Sequence, residues 1–196
     1  MAVQEIVLYA QNAAVLREKS RPVQAVGRGV RRLIRDLKET LAHSADGIGL
    51  AAPQIDDHRR VVVVCLGSRT EEGRAPDPPI ALINPQIVEA GDARPDFDGC
   101  LSFPGLYGET VRPHHLRVTG QCESGKPFER VFEGFDAVLV HHEIDHLDGV
   151  LFIDRVQSIE DLYRVEMDER GQPMRVPVLG TKRLSRSHPG GDQTGG

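Results

Sequence analysis

The segment His142-Glu143-Ile144-Asp145-His146 constrains this chain more than any other stretch of it. It lies in an apolar-flanked run over residues 135–152, and Asp148-Gly149 closes its helical part with a glycine suited to a left-handed cap. On a helix, residues four apart stand one turn apart and face the same way. His142 and His146 can therefore hold one divalent metal between them. Glu143 then sits beside that metal, where it can handle the proton of a metal-bound water. The pattern specifies a hydrolytic centre and not a metal site alone. A chain with eight histidines can match so short a motif by chance, so the other segments have to decide.

Those segments describe one domain of ordinary size, or a domain with a tail, in 196 residues. A hydrophobic content of 39% and a charged content of 27% suit a soluble globular protein. The net charge of −5, with no basic run interleaved with aromatics, argues against direct sequence-specific nucleic-acid binding. No apolar run is long enough to span a bilayer, and residues 1–10 lack the charged-then-apolar build of a secretory signal. A cytoplasmic location is expected.

Val26, Val30, Leu33, Ile34, Leu37 and Leu41 recur at helical spacing, with Arg31, Arg32, Arg35 and Lys38 on the other faces. This predicts an N-terminal amphipathic helix whose arginines form its solvated side. The small residues of Gly47-Ile48-Gly49-Leu50-Ala51-Ala52-Pro53-Gln54 allow close approach to the backbone. Strands are predicted over 60–66, 80–88, 115–122 and 128–132, with a polar, proline-rich loop over 67–79. Asn84-Pro85 implies an edge position or a bend in the second strand. Gly125-Lys126 supplies a tight turn that joins the last two strands as a hairpin. A helix is predicted over 135–147 and a short charged helix over 159–167. Strands on both sides of helices without βαβ alternation indicate an α+β fold, its mostly antiparallel strands packed around the central His-Glu helix. The catalytic domain is expected over 1–170, with 171–196 as a tail that is disordered over its Gly-rich end, 190–196.

Three cysteines cannot build a disulfide framework. Cys65 ends a run of four valines and reads as strand core, and Cys122 alternates with Leu116, Val118 and Gly120 on one strand face. Cys100 has no packing periodicity to explain it, because it sits among the turn-forming residues of Asp98-Gly99-Cys100-Leu101-Ser102-Phe103-Pro104-Gly105. A catalytic site of this kind takes three protein ligands and keeps one position open. A histidine six residues beyond His146 is excluded, because Phe152 stands there. Glu166, in a densely charged stretch, and Cys100 remain as candidates for the third ligand.

Three segments together resemble the peptide deformylase family, whose motifs are Gly-φ-Gly-Leu-Ala-Ala-x-Gln (φ apolar), Glu-Gly-Cys-Leu-Ser and Gln-His-Glu-x-Asp-His-Leu. The corresponding stretches here are 47–54, Asp98-Gly99-Cys100-Leu101-Ser102 and His141-His142-Glu143-Ile144-Asp145-His146-Leu147, in the same order. The resemblance covers residues 5–155. Asp98 replaces the family's glutamate and His141 its glutamine, which leaves open the contact that the longer acid makes at the rim of the site.

The resemblance implies removal of the formyl group from N-formylmethionyl nascent peptides, with Cys100, His142 and His146 as ligands and Glu143 as the base. It implies Fe2+ as the metal, with Zn2+, Ni2+ or Co2+ as alternatives that thiolate and imidazole ligands also suit. The Gln54 side chain and the Leu101 backbone N–H would stabilise the oxyanion, and the Gly49 carbonyl would receive the formamide N–H. Ile48, Phe135, Val138 and Leu139 would line the methionine pocket, although plain core packing also explains apolar residues on such a helix. The implied enzyme is a monomer that visits the ribosome transiently and has no membrane partner. A peptidase using Glu166 and a catalytically silent formyl-peptide or metal binder are the competing readings.

Overall fold

The computed structural model describes residues 3–45, 47–67 and 77–178. Its first helix, α1 (Tyr9–Arg17), is kinked at Asn12 and buries only Leu16. The second, α2 (Arg28–His43), buries Val30, Leu33, Ile34, Leu37 and Leu41 and leaves Arg31, Arg32 and Arg35 exposed. A stripe of this width needs an apolar partner. It finds one in Leu50 of β1 (Gly49–Ala51), Val61 and Val63 of β2 (Val61–Val64), and Ala81 and Ile83 of the next strand.

All four valines of β2 are fully buried because a helix covers each face of the strand. Val61 and Val63 pack with α2, while Val62 and Val64 turn to the other core cluster. Burial on both faces explains a continuous apolar run where a half-exposed strand would alternate. Cys65 lies just beyond β2, half-buried against the α2 cluster.

Five more strands, β3 (Ile80–Gly99), β4 (Leu106–Gln121), β5 (Pro127–Glu133), β6 (Leu162–Met167) and β7 (Pro173–Pro177), complete a seven-stranded sheet of order β1-β2-β3-β4-β6-β7, with β5 also paired to β4. Its spine is the antiparallel pair β3 (Ile80–Gly99) and β4 (Leu106–Gln121). The strand predicted over 80–88 is thus the first half of β3. Asn84-Pro85 produces a bulge there, with a register shift between Ile83 and Gln86. Asn84 adopts φ 51°, and its amide exchanges two hydrogen bonds of 2.8 Å with the Val23 backbone. The side chain thereby occupies polar groups that the interrupted ladder leaves open. Strand β5 (Pro127–Glu133) returns along β4 after a turn at Gly125, φ 84°. Cys122, expected on a strand face, lies in that turn with Sγ 3.1 Å from Ser124 Oγ, because β4 ends one residue earlier.

Gly134 (φ 57°) redirects the chain into α3 (Gly134–Leu147). The helix buries ten of its 14 residues, including His142, Glu143, Asp145 and His146. Gly149, at φ 73°, ends it where a Cβ would lie 2.3 Å from the Arg17 carbonyl oxygen.

The short helix expected over 159–167 is not formed. A single 3-10 turn (Ile159–Asp161) leads into β6 (Leu162–Met167), which pairs with β4 and with β7 (Pro173–Pro177). Tyr163, Val165 and Met167 alternate with Arg164 and Glu166, a period of two that suits a strand. The β6–β7 hairpin also crosses residue 170, where a tail was expected to begin. Residues 190–196 lie outside the described residues, as does most of the loop over 67–79.

Candidate active site

Strand β3 delivers Asp98 and Gly99 to the end of the sheet, and Cys100 opens the turn that leads into β4. The backbone N–H of Phe103 closes that turn on the Cys100 carbonyl at 2.9 Å. The turn lies against α3, where His142 and His146 are one turn apart with ring centroids separated by 5.0 Å. Cys100 Sγ is 3.3 Å from His146 Nε2. One donor atom from each of Cys100, His142 and His146 falls within 4.8 Å of the others. Among the described residues Glu166 belongs to no such group; it is exposed on β6 opposite Met174.

Beneath the histidines lies a closed polar network. His142 Nδ1 is 2.7 Å from Asp98 Oδ1, an arrangement that fixes the tautomer and turns Nε2 to the cleft. Asp98 Oδ2 accepts from Thr110 Oγ1 at 3.0 Å and from Arg112 Nε at 2.6 Å. The fully buried Arg112 also donates to Asp145 Oδ2 at 2.7 Å and to His141 Nδ1 at 2.6 Å. Arg155 holds Asp145 from the other side through bonds of 3.0 and 2.7 Å.

This arrangement supplies the contact that the sequence left open for Asp98. The carboxylate is buried under a histidine, 5% exposed. Burial works to raise its pKa, yet His142 and Arg112 outweigh that effect and hold it far below the usual carboxylate range. His141 is pushed down to about 4, chiefly by burial, which suits its role as a neutral acceptor from Arg112.

The charges also bear on what the three donors can hold. Burial disfavours a cation at His142, but Asp98 and Cys100 overcome this and draw positive charge to the ring. His146 is driven well below its usual range by burial and by His142, so it stays neutral with a free lone pair. One soft thiolate donor and two imidazoles converge where the field favours positive charge, a combination that fits a divalent transition metal.

Glu143 faces the same space. It is 3% exposed, and its Oε2 has no hydrogen-bond partner among the described residues. Burial raises its pKa to about 7, with His142 opposing and Asp98 adding to the shift. A carboxyl that exchanges its proton near neutrality, with an open oxygen in a cleft, is equipped for acid–base work. Gly49 makes room for it, since a Cβ there would lie 2.3 Å from Glu143 Oε1.

Gln54 sits in a 3-10 turn (Ala52–Ile55) and is 2% exposed. Its Oε1 accepts from the Ala51 N–H at 2.8 Å. That bond aims Nε2 at Ser102 Oγ, 3.2 Å away, and at Cys100 Sγ, 3.5 Å away. Leu101 lies in the turn after Cys100 and lines the cleft.

The cleft encloses about 550 Å3, a volume within the ordinary range for small-ligand sites. Ile48, Gly49, Phe135, Val138 and Leu139 line it together with His142, Glu143 and Cys100. Phe97, Pro104, Tyr107 and Val165 also line it, and the sequence reading placed none of these four at the site. Arg112 was missed as well. A lone arginine in a segment where no strand was predicted carries no local mark of burial.

Comparison with known proteins agrees with this geometry. A profile of the polypeptide deformylase family matches residues 3–161. A peptide deformylase of Heliobacterium modesticaldum is 44% identical over 160 residues, covering 81% of this chain and 97% of that protein. One of Alkalilimnicola ehrlichii is 42% identical over 160 residues, covering 82% and 85%. The crystal structure of peptide deformylase from Thermotoga maritima superposes with a TM-score of 0.71 at 34% identity, covering 81% of this chain and all of that one. The chain belongs to the polypeptide deformylase family, metal-dependent hydrolases that remove the formyl group from the N-terminal methionine of nascent polypeptides.

Proposed function

We propose that the cleft beside α3 is where this protein deformylates its substrate, with Cys100, His142 and His146 holding one divalent ion, Fe2+ in the first instance and Zn2+, Ni2+ or Co2+ as substitutes. In this reading α3 is the central metal-binding helix and α2 its N-terminal amphipathic companion. The observation that carries the proposal is the convergence of three donor atoms within 4.8 Å beside an unsatisfied Glu143 oxygen. The ion supplies Lewis acidity to the formyl carbonyl and to water, whose pKa such ions bring from about 16 to roughly 7.

The remaining work falls to the chain. Glu143 Oε2 accepts the proton of the attacking water as the new C–O bond forms. It then returns a proton to the amine nitrogen as the C–N bond breaks and formate leaves. A positioned acid–base group of this kind contributes about 10²–10⁴-fold. Gln54 Nε2, aimed at Cys100 by the Ala51 N–H, and the Leu101 N–H stabilise the oxygen that gains charge. One such donor is worth about 10²–10³ in turnover.

Ile48, Phe135, Val138 and Leu139 receive the methionine side chain, whose burial contributes about 1.5–3 kcal/mol. The Gly49 carbonyl takes the formamide N–H. Strand β1 ends the sheet order, so an extended peptide can add beside it through main-chain hydrogen bonds. We further read the protein as a cytoplasmic monomer that meets nascent chains by a transient visit to the ribosome. No described helix is long and apolar enough to cross a membrane.

Amine release from N-formyl-Met-Ala-Ser, by protein prepared without oxygen and loaded with iron(II) or nickel, tests the assignment. Rapid turnover is expected, lost in Cys100→Ala together with the metal and lost in Glu143→Gln with the metal retained. Stoichiometric metal without turnover in the wild type would overturn the proposal in favour of a binding protein, and cleavage of unformylated peptides would overturn it in favour of a peptidase.

A further inference from the structure

The family match ends at residue 161, one residue before β6 begins, yet Val165 of β6 lines the same cleft as Cys100 and Glu143. The wall it belongs to is specific in composition. Tyr107 of β4 and Tyr163 of β6 are register partners, so their rings stand on one face of the sheet, 6.2 Å apart. Phe97 joins them, 5.4 Å from Tyr107 and 6.4 Å from Tyr163. With a period of two, Val165 and Met167 continue that face outward, and they are 41% and 70% exposed. Arg175 pairs in register with Val165 and lies over the Tyr163 ring at 4.7 Å. It is exposed and has no carboxylate partner among the described residues. Glu109, the register partner of Phe97, is the opposing charge on the β4 part of this face.

We propose that the β6–β7 hairpin is the specificity wall for the substrate residues that follow the formylmethionine, with Val165 contacting one of their side chains and Arg175 favouring an acidic side chain over a basic one. The proposal rests on the deformylase reading of the cleft and adds a selectivity to it. Continuity supports it, because Phe97, Tyr107 and Val165 bound the same space as the reacting groups. Phe97, Tyr107 and Val165 line that cleft, so a chain leaving the methionine pocket has this face as one of its walls. An aromatic and aliphatic shelf with one exposed guanidinium suits a side chain that is apolar at its stem and anionic at its tip.

The test uses formyl-Met-amide, which ends before the shelf, and two peptide series, formyl-Met-X-Ala and formyl-Met-Ala-X, with X as Glu, Leu or Lys. Metal-loaded wild type is expected to prefer Glu over Lys at one of the two positions by about two- to fivefold in kcat/KM, expressed through KM, as for an exposed ion pair. Arg175→Glu should reverse that preference while leaving kcat and formyl-Met-amide turnover unchanged, and Val165→Ser should weaken Leu relative to Glu. Equilibrium binding of the same peptides to Glu143→Gln protein, with and without Arg175→Glu, should follow the same order. A Glu/Lys ratio near one at both positions, or one unmoved by Arg175→Glu, overturns the proposal. Loss of formyl-Met-amide turnover in the wild type would instead count against the deformylase reading itself.

Discussion

Strand β4 and helix α3 meet twice, and the two meetings are built on opposite principles. Toward its C-terminal half, β4 turns Leu116 and Val118 inward, where they pack with Ala137, Val140, Ile144 and Leu147 of α3. Toward its N-terminal half, the same strand buries Thr110, Arg112 and His114, and Arg112 reaches His141 and Asp145 of the same helix. The first contact is non-directional and gains stability from area removed from water. The second places charges out of water, which is tolerable because each charge is paired: Arg112 to Asp98 and Asp145, Asp98 to His142 and Thr110, Asp145 to Arg155. The apolar half makes the fold stable. The polar half sets the direction of a histidine.

Three experiments test whether the two contacts behave differently. The largest effect is expected from Arg112→Met, which removes the cation between two buried carboxylates. Loss of one partner of a buried pair costs about 3–5 kcal/mol, so the urea unfolding midpoint should fall sharply. A midpoint equal to wild type would mean that the network does not depend on its central charge. Leu116→Ala comes next, at about 2–5 kcal/mol for a truncated core leucine, yet its folded fraction should keep near-normal kcat/KM. Inactivation as deep as that of Glu143→Gln would show that the two halves are not separable.

Asp98→Asn keeps the shape beneath His142 and removes the charge. Partners of this type shift metal affinity about 10–100-fold, a loss that competition against a chelator would read. Unchanged metal affinity would remove Asp98 from the account of how His142 is oriented.

The contrast also explains which features were readable along the chain. Periodicity carried the apolar contacts: the stripe from Val30 to Leu41 and the valines of β2 are each encoded by neighbours in sequence. Asn84-Pro85 announced its bend through the chemistry of two adjacent residues. Reading failed where the pattern was polar. The segments 89–99 and 106–114 were assigned to no strand, and they form the C-terminal half of β3 and the N-terminal half of β4, where Asp98, Thr110 and Arg112 serve the network instead of a core. Over 159–167 a dense run of charges obscured the alternation of Tyr163, Val165 and Met167, and a helix was expected where a strand forms.

Local sequence determined the spacing of His142, Glu143 and His146 on one helix turn, the glycine turns around Cys100, and the small residues at 47–52 that give Glu143 its space. Each of these depends only on residues close in the chain and on backbone geometry. Tertiary structure brought Cys100, which the resemblance implied, and not Glu166 beside the two histidines, and it alone decided that Arg112 ties Asp98 to Asp145 and that Val165 reaches the cleft. These contacts join residues far apart in sequence. They follow from strand register and the burial of facing surfaces, which no local pattern encodes.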